Sequence, residues 1–203
     1  GGNGDRTFNG AVTHTGATFN AGSGITTFSS TYSLQGAGSL VGGAGAMTFT
    51  GASTFSGSGG TFTGGGGSTT FSGSATFSGA TYTAGAGAAN FNGTTTVSAG
   101  TFSGGGGSPD FNDAFVLSGG TFNASSATTI FSSSFTHSAG TFNHNSGTVV
   151  FDTGAVTIDV PTVETFSWLT SGDRSIAHSW LWDLLMAAAY RSAGATGMSA
   201  SSR

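Results

Sequence analysis

Few side chains in this chain of 203 residues could do chemistry. There are four histidines, eight carboxylates and four basic residues, all four of them arginine, and no cysteine. A metal site needs its ligands at a spacing that brings them to one point. His14 and His137 occupy the same place in a repeat described below, about 29 Å apart at strand spacing. His137 and His144 lack the spacing of a helical metal pair, and no acidic partner lies beside them in sequence. Asp110-Phe111-Asn112-Asp113 follows the glycine run Gly104–Gly107, in the manner of a calcium-binding glycine-aspartate repeat. Such sites rely on repetition, so that successive turns supply several oxygen ligands, and here the motif occurs once. It reads as a solvated corner. Paired carboxylates for glycoside hydrolysis would need Asp or Glu in the neighbouring coils, which carry none. A G-x-S-x-G elbow is absent, and without lysine the runs Gly64–Gly67 and Gly104–Gly107 cannot form a Walker A loop. The residues therefore predict no catalytic centre, no metal and no cofactor.

What the sequence does contain is a repeat. Phe8, Phe28, Phe49, Phe71, Phe91, Phe111, Phe131 and Phe151 recur at intervals of 20, 21, 22, 20, 20, 20 and 20. A second column follows each by about eleven residues: Phe19, Leu40, Phe62, Tyr82, Phe102, Phe122 and Phe142. The two longer intervals fall at Gly36-Ala37-Gly38 and Gly57-Ser58-Gly59-Gly60, after which the register returns, so they read as loop insertions at a corner. Each aromatic is flanked by small polar residues, as in Thr61-Phe62-Thr63 and Thr121-Phe122-Asn123, which is strand alternation with the ring facing in. A further strand lies between the columns, around Thr13, Ser33, Thr54, Thr76, Thr96, Val116 and Thr136. Glycine or alanine at Gly16, Gly36, Gly57, Gly79, Ala99, Gly119 and Ala139 marks one corner; Gly24, Gly45, Gly67, Gly87, Gly107, Ala127 and Gly147 mark another.

Three short strands per coil of about twenty residues, stacked in register, predict an all-β fold. The expected architecture is a parallel β-solenoid of about seven to eight coils, with the two aromatic columns as its core. It is assigned to residues 7–163, after an N-terminal extension over 1–6. Residues 164–203 differ in composition and hold all three tryptophans. An apolar helix is expected from about Ser175 to Tyr190, and such a helix must be buried. Trp168, Trp180, Trp182, Leu184 and Leu185 would either cap the last coil or contact another subunit. The segment is too short for a comfortable membrane span. At the other end no amphipathic segment covers the first coil, which is expected either to continue into preceding chain or to stack on another molecule. Gly1 in place of an initiator methionine points to processing, a fragment or a missing start.

Composition narrows the function classes. Only 6% of residues are charged, the net charge is −4, and no charge occurs from Thr7 through Pro109. There is no basic stripe for nucleic acid, and long-range electrostatic steering is weak. Outward positions form ladders: Thr18, Ser39, Thr61, Thr81, Thr101, Thr121 and Thr141, beside Asn20, Val41, Thr63, Thr83, Ser103, Asn123 and Asn143. These paired columns resemble the T-x-T faces of β-solenoid ice-binding proteins, with Thr18, Thr61, Thr63, Thr81, Thr83, Thr101, Thr121 and Thr141 as the residues of a ligand face for ice or a polysaccharide. Threonine also suits exposed strand positions without any ligand.

The stretch Phe131-Ser-Ser-Ser-Phe135-Thr-His137-Ser-Ala-Gly140-Thr-Phe142-Asn-His144-Asn-Ser-Gly147-Thr-Val-Val-Phe151 resembles the F-T-H-x-x-G-T-F-x-x-x-x-G-T-V-x-F repeats of large bacterial β-strand-repeat surface proteins. These are in turn similar to filamentous-haemagglutinin and autotransporter-passenger rods. The resemblance spans about residues 7–160 and implies a non-enzymatic rod, extracellular or at the cell surface. The tail departs from that pattern, with no recognisable translocator or anchoring motif. Two functions are expected from these readings. One is a structural subunit or adhesin that assembles end to end with itself into filaments, with cell-surface glycans as further partners. The other is an ice- or polysaccharide-binding module using the threonine face.

Overall fold

A computed structural model describes residues 2–152 and 156–158 of the chain. The expected helix and the residues Trp168, Trp180, Trp182, Leu184 and Leu185 lie outside the described residues. Within them the protein is all-β: parallel strands stack turn upon turn as a β-solenoid of about seven turns.

The first face is an eight-stranded sheet in which each strand pairs with its counterpart one turn later. Arg6–Phe8, Thr26–Phe28, Met47–Phe49, Thr69–Phe71, Ala89–Phe91, Pro109–Phe111, Thr128–Phe131 and Thr148–Phe151 follow one another in this way. Phenylalanine stands opposite phenylalanine throughout, as in Phe8 against Phe28 and Phe111 against Phe131. The rings stack at centroid separations from 4.6 Å (Phe71–Phe91) to 5.3 Å (Phe131–Phe151), close to the spacing of hydrogen-bonded strands. The stacking repeat is thus the sheet repeat, and each ring is held offset on the next. The second column packs edge-on against the first, Phe102 at 5.7 Å from Phe111 and Phe122 at 5.9 Å. Its interior lies between the faces: Phe28 through Phe131 in one column and Leu40 through Phe142 in the other are buried.

The second and third faces differ from the expectation of three separate strands. In the first three turns they are separate: Val12–His14 then Thr18–Asn20, Tyr32–Leu34 then Ser39–Val41, Ser53–Phe55 then Thr61–Thr63. From the fourth turn they join into single nine-residue strands, Ala75–Thr83, Thr95–Ser103, Phe115–Asn123 and Phe135–Asn143. Gly36-Ala37 in the second turn and Ser58-Gly59 in the third form turns in longer links that interrupt the ladder. The first turn has a link no longer than the later ones, Thr15-Gly16-Ala17, but its paired neighbour is the second turn with its insertion. At the bend Gly100, Gly120 and Gly140 adopt φ of +74°, +66° and +90°, a region that favours glycine.

Another corner carries glycine in three successive turns for a different reason. Gly51, Gly73 and Gly93 stack there, and a Cβ on Gly73 would lie 2.6 Å from the carbonyl carbon of Gly51. At these three glycines successive coils come together backbone to backbone, whereas the same corner carries Ser30, Asp113 and Ser133 in other turns.

Candidate functional site

Two surfaces of the described residues are candidates to meet a partner: the threonine-bearing third face and the outer edge of the first turn. On the third face the expected ladder is realised in register. Thr18 pairs with Ser39, Ser39 with Thr61, then Thr61 with Thr81, Thr81 with Thr101, Thr101 with Thr121 and Thr121 with Thr141. Thr63 and Thr83 stand in the adjoining column, between Val41 and Ser103. Thr61 donates from Oγ1 to Ser39 Oγ at 3.0 Å, and Asn143 Nδ2 donates to Asn123 Oδ1 at 2.7 Å. Part of the ladder's hydrogen-bonding capacity is therefore spent along the ladder itself. Threonine is not confined to this face. Thr7, Thr27, Thr48 and Thr70 line the first face, and Thr54, Thr76 and Thr96 the second.

The outer edge of the first turn is different in kind. Among the described residues, the three strands of the first turn each have a neighbour on one side only. Arg6 N donates to Ile25 O, and Phe8 O accepts from Ser29 N, so these two residues are bound to the second turn. In a parallel ladder the alternate residue, Thr7, then turns its N–H and C=O to the open side. Val12 N and His14 O are likewise engaged with Thr31 O and Gln35 N, which leaves Thr13 facing outward along the axis. The inward side chains Phe8, Val12 and Phe19 are only half-buried, whereas their counterparts Phe28, Tyr32 and Leu40 one turn later are buried. Ile25, at the corner joining the first two turns, is the exposed large apolar residue of the described chain, at 49%.

Polar groups are built into the same end. Arg6, assigned by sequence to an extension, begins the first strand of the first face and stands opposite Thr26. It therefore heads the inward column that continues through buried Thr26, Met47, Thr69, Ala89 and Pro109. Its guanidinium folds over the turn, Nη1 donating to the carbonyl of Ala21 at 2.6 Å and Nη2 to that of Gly2 at 3.2 Å. Asp5 Oδ1 accepts from Ile25 N at 2.8 Å, and Ser23 Oγ donates to Asn3 Oδ1 at 2.9 Å, so residues 3–5 already follow the path of the coil. His14 occupies another inward position, with Nδ1 2.9 Å from the Tyr32 hydroxyl and Nε2 3.2 Å from Ala17 O. The signal for Arg6 was present in the sequence: it precedes Thr26 by one repeat period.

His14 and His137 do share a register position, at opposite ends of the described solenoid, and His137 is buried near the carbonyl of Gly140. Asp113 accepts from Thr94 Oγ1 at 3.1 Å and from Ala114 N at 2.7 Å, which makes it a corner brace. No cluster of three or more histidine or carboxylate side chains occurs among the described residues. No helix among them is long and apolar enough to cross a membrane. No protein family, curated protein or solved structure matches the chain.

Proposed function

We propose that this chain is a non-enzymatic structural protein, a β-solenoid segment at the cell surface or outside the cell that assembles end to end into a filament or adhesin rod. The observation that carries the reading is that every turn presents the same ladder and ring column to the next, and that among the described residues the first turn, with Phe8, Val12 and Phe19 half-buried, is paired on one side. The occupant is a coil end of a second copy. A copy has the same cross-section and the same repeat of 4.6 to 5.3 Å between stacked rings. It would extend the ladders at Thr7 and Thr13 and bury the end rings, combining hydrogen bonding with apolar burial. The absence of charge from Thr7 through Pro109 supports the same reading, because little electrostatic repulsion keeps such molecules apart.

Sedimentation velocity of the full chain over a concentration series, with electron microscopy of the same samples, tests this. Growing linear species are expected. The double variant Thr7→Pro/Thr13→Pro removes two outward donors without touching the bonds to the second turn, and it should suppress growth. A chain that stays monomeric at high concentration, or growth that the double variant does not affect, would overturn the reading.

A further inference from the structure

The corner that follows the first face exposes one side chain per turn, in the pairs Thr50-Gly51, Ser72-Gly73, Asn92-Gly93 and Asn112-Asp113. Among these four, Asn92 alone combines a carboxamide with a following glycine. We propose that Asn92-Gly93 is a site of spontaneous modification, at which the Gly93 nitrogen attacks the Asn92 carboxamide and converts it to aspartate or isoaspartate. The chemistry is independent of end-to-end assembly. Asn3-Gly4 and Asn9-Gly10 carry the same dipeptide, but Asn92 lies between described turns on both sides.

Three features of the corner favour the reaction. The nucleophile is free: among the described residues Gly93 N donates no hydrogen bond, whereas Asn92 N is bound to Phe71 O and Thr95 N to Ala114 O. The nitrogens that follow Asn20 and Asn123 are occupied, Ala21 N by Val41 O and Ala124 N by Asn143 O. Glycine also lacks the Cβ that would hinder approach to its own nitrogen, and this glycine is held in place by packing. A Cβ on Gly93 would lie 2.6 Å from the carbonyl carbon of Gly73, so the contact that fixes glycine here also fixes the susceptible dipeptide. Finally, Asn112 Nδ2 donates to Asn92 Oδ1 at 3.0 Å, the atom that gathers negative charge when Cγ is attacked.

In the first step a bond forms from Gly93 N to Asn92 Cγ and the Cγ–Nδ2 bond breaks. Nδ2 leaves as ammonia, taking the proton that Gly93 N gives up. Water then adds to the cyclic imide at either carbonyl. One opening restores the main chain with an aspartate; the other gives isoaspartate, whose main chain is longer by a methylene. Either product puts a negative charge into the stretch from Thr7 through Pro109, which has none. The longer main chain falls where Gly93 packs on Gly73, so isoaspartate loosens this corner.

The test ages the full chain in mildly alkaline buffer, with circular dichroism to show that it stays folded, and follows each asparagine by peptic mapping and mass spectrometry. Conversion at Asn92 should be at least about tenfold faster than at Asn112 or Asn123. Asn92→Ser, which copies the residue this corner holds at Ser72, should remove the modification from that peptide and leave the fold intact. The fraction converted to isoaspartate at Asn92, separated by ion exchange, should unfold at a lower urea midpoint than fresh protein. Equal rates at Asn92 and Asn112, or conversion confined to Asn3 and Asn9, would overturn the proposal. An unchanged midpoint would overturn the loosening of the corner.

Discussion

Tyr82 lies directly beneath Phe102 in the third-face column, their ring centroids 4.8 Å apart, in a position that the other turns fill with phenylalanine or leucine. The ring is well accommodated, touching Phe62, Phe71, Phe77 and Phe91 as well. Its hydroxyl is fully buried and finds no hydrogen-bond partner among the described residues. A buried hydroxyl without a partner carries an uncompensated desolvation cost. Tyr82→Phe is therefore expected to stabilise the solenoid by about 1 kcal/mol, read as a higher urea midpoint. A lower midpoint would mean that the hydroxyl has a partner.

Burial also pushes the ionisation of both Tyr82 and Tyr32 above the ordinary tyrosine value. The folded state holds these protons more tightly than the unfolded state does. The stability they contribute is complete below the unfolded value of about 10 and is lost as pH rises above it. Because the chain has no lysine, no side-chain amine titrates in this alkaline range. Thermal unfolding temperature should hold level up to about pH 9 and then fall. Tyr32→Phe/Tyr82→Phe should flatten that fall.

Close backbone approach at the glycine corner predicts a contrast between two chemically identical changes. Gly73→Ala places its Cβ 2.6 Å from the Gly51 carbonyl and forces neighbouring coils apart, at a cost of about 1–3 kcal/mol. A Cβ on Gly66 meets nothing within 4 Å, so Gly66→Ala should change stability by no more than about 0.5 kcal/mol. Denaturant unfolding of the two variants side by side checks this.

The aromatic column should likewise be graded along its length. Phe91 is fully buried between Phe71 and Phe111, and Phe91→Ala should cost about 3–5 kcal/mol. Phe8 stacks on Phe28 alone in its column and is half-buried, so Phe8→Ala should cost about half as much, roughly 1.5–2.5 kcal/mol. Equal losses in dilute solution would show that the first turn is covered.

Much of this architecture is legible in the amino-acid sequence. The recurrence of Phe8, Phe28, Phe49 and their successors, each flanked by small polar residues, determines which side chains face in, because alternation along a strand has a period of two. The return of the register after Gly36-Ala37-Gly38 and Gly57-Ser58-Gly59-Gly60 determines that the units stack as equivalent coils. The ladder from Thr18 to Thr141 follows from the same arithmetic. The tertiary structure decided what depends on the neighbouring coil. It joined the second and third strands from Ala75 onward, because backbone pairing with the next turn persists through a bend that has no inserted residues. It left the Tyr82 hydroxyl buried without a partner among the described residues, in a ring cluster built from its own turn and from the turns on either side. It also turned Arg6 from part of an extension into the head of an interior column. A repeat period can place that residue opposite Thr26, but only the packed first turn shows its guanidinium bound to the carbonyls of Ala21 and Gly2.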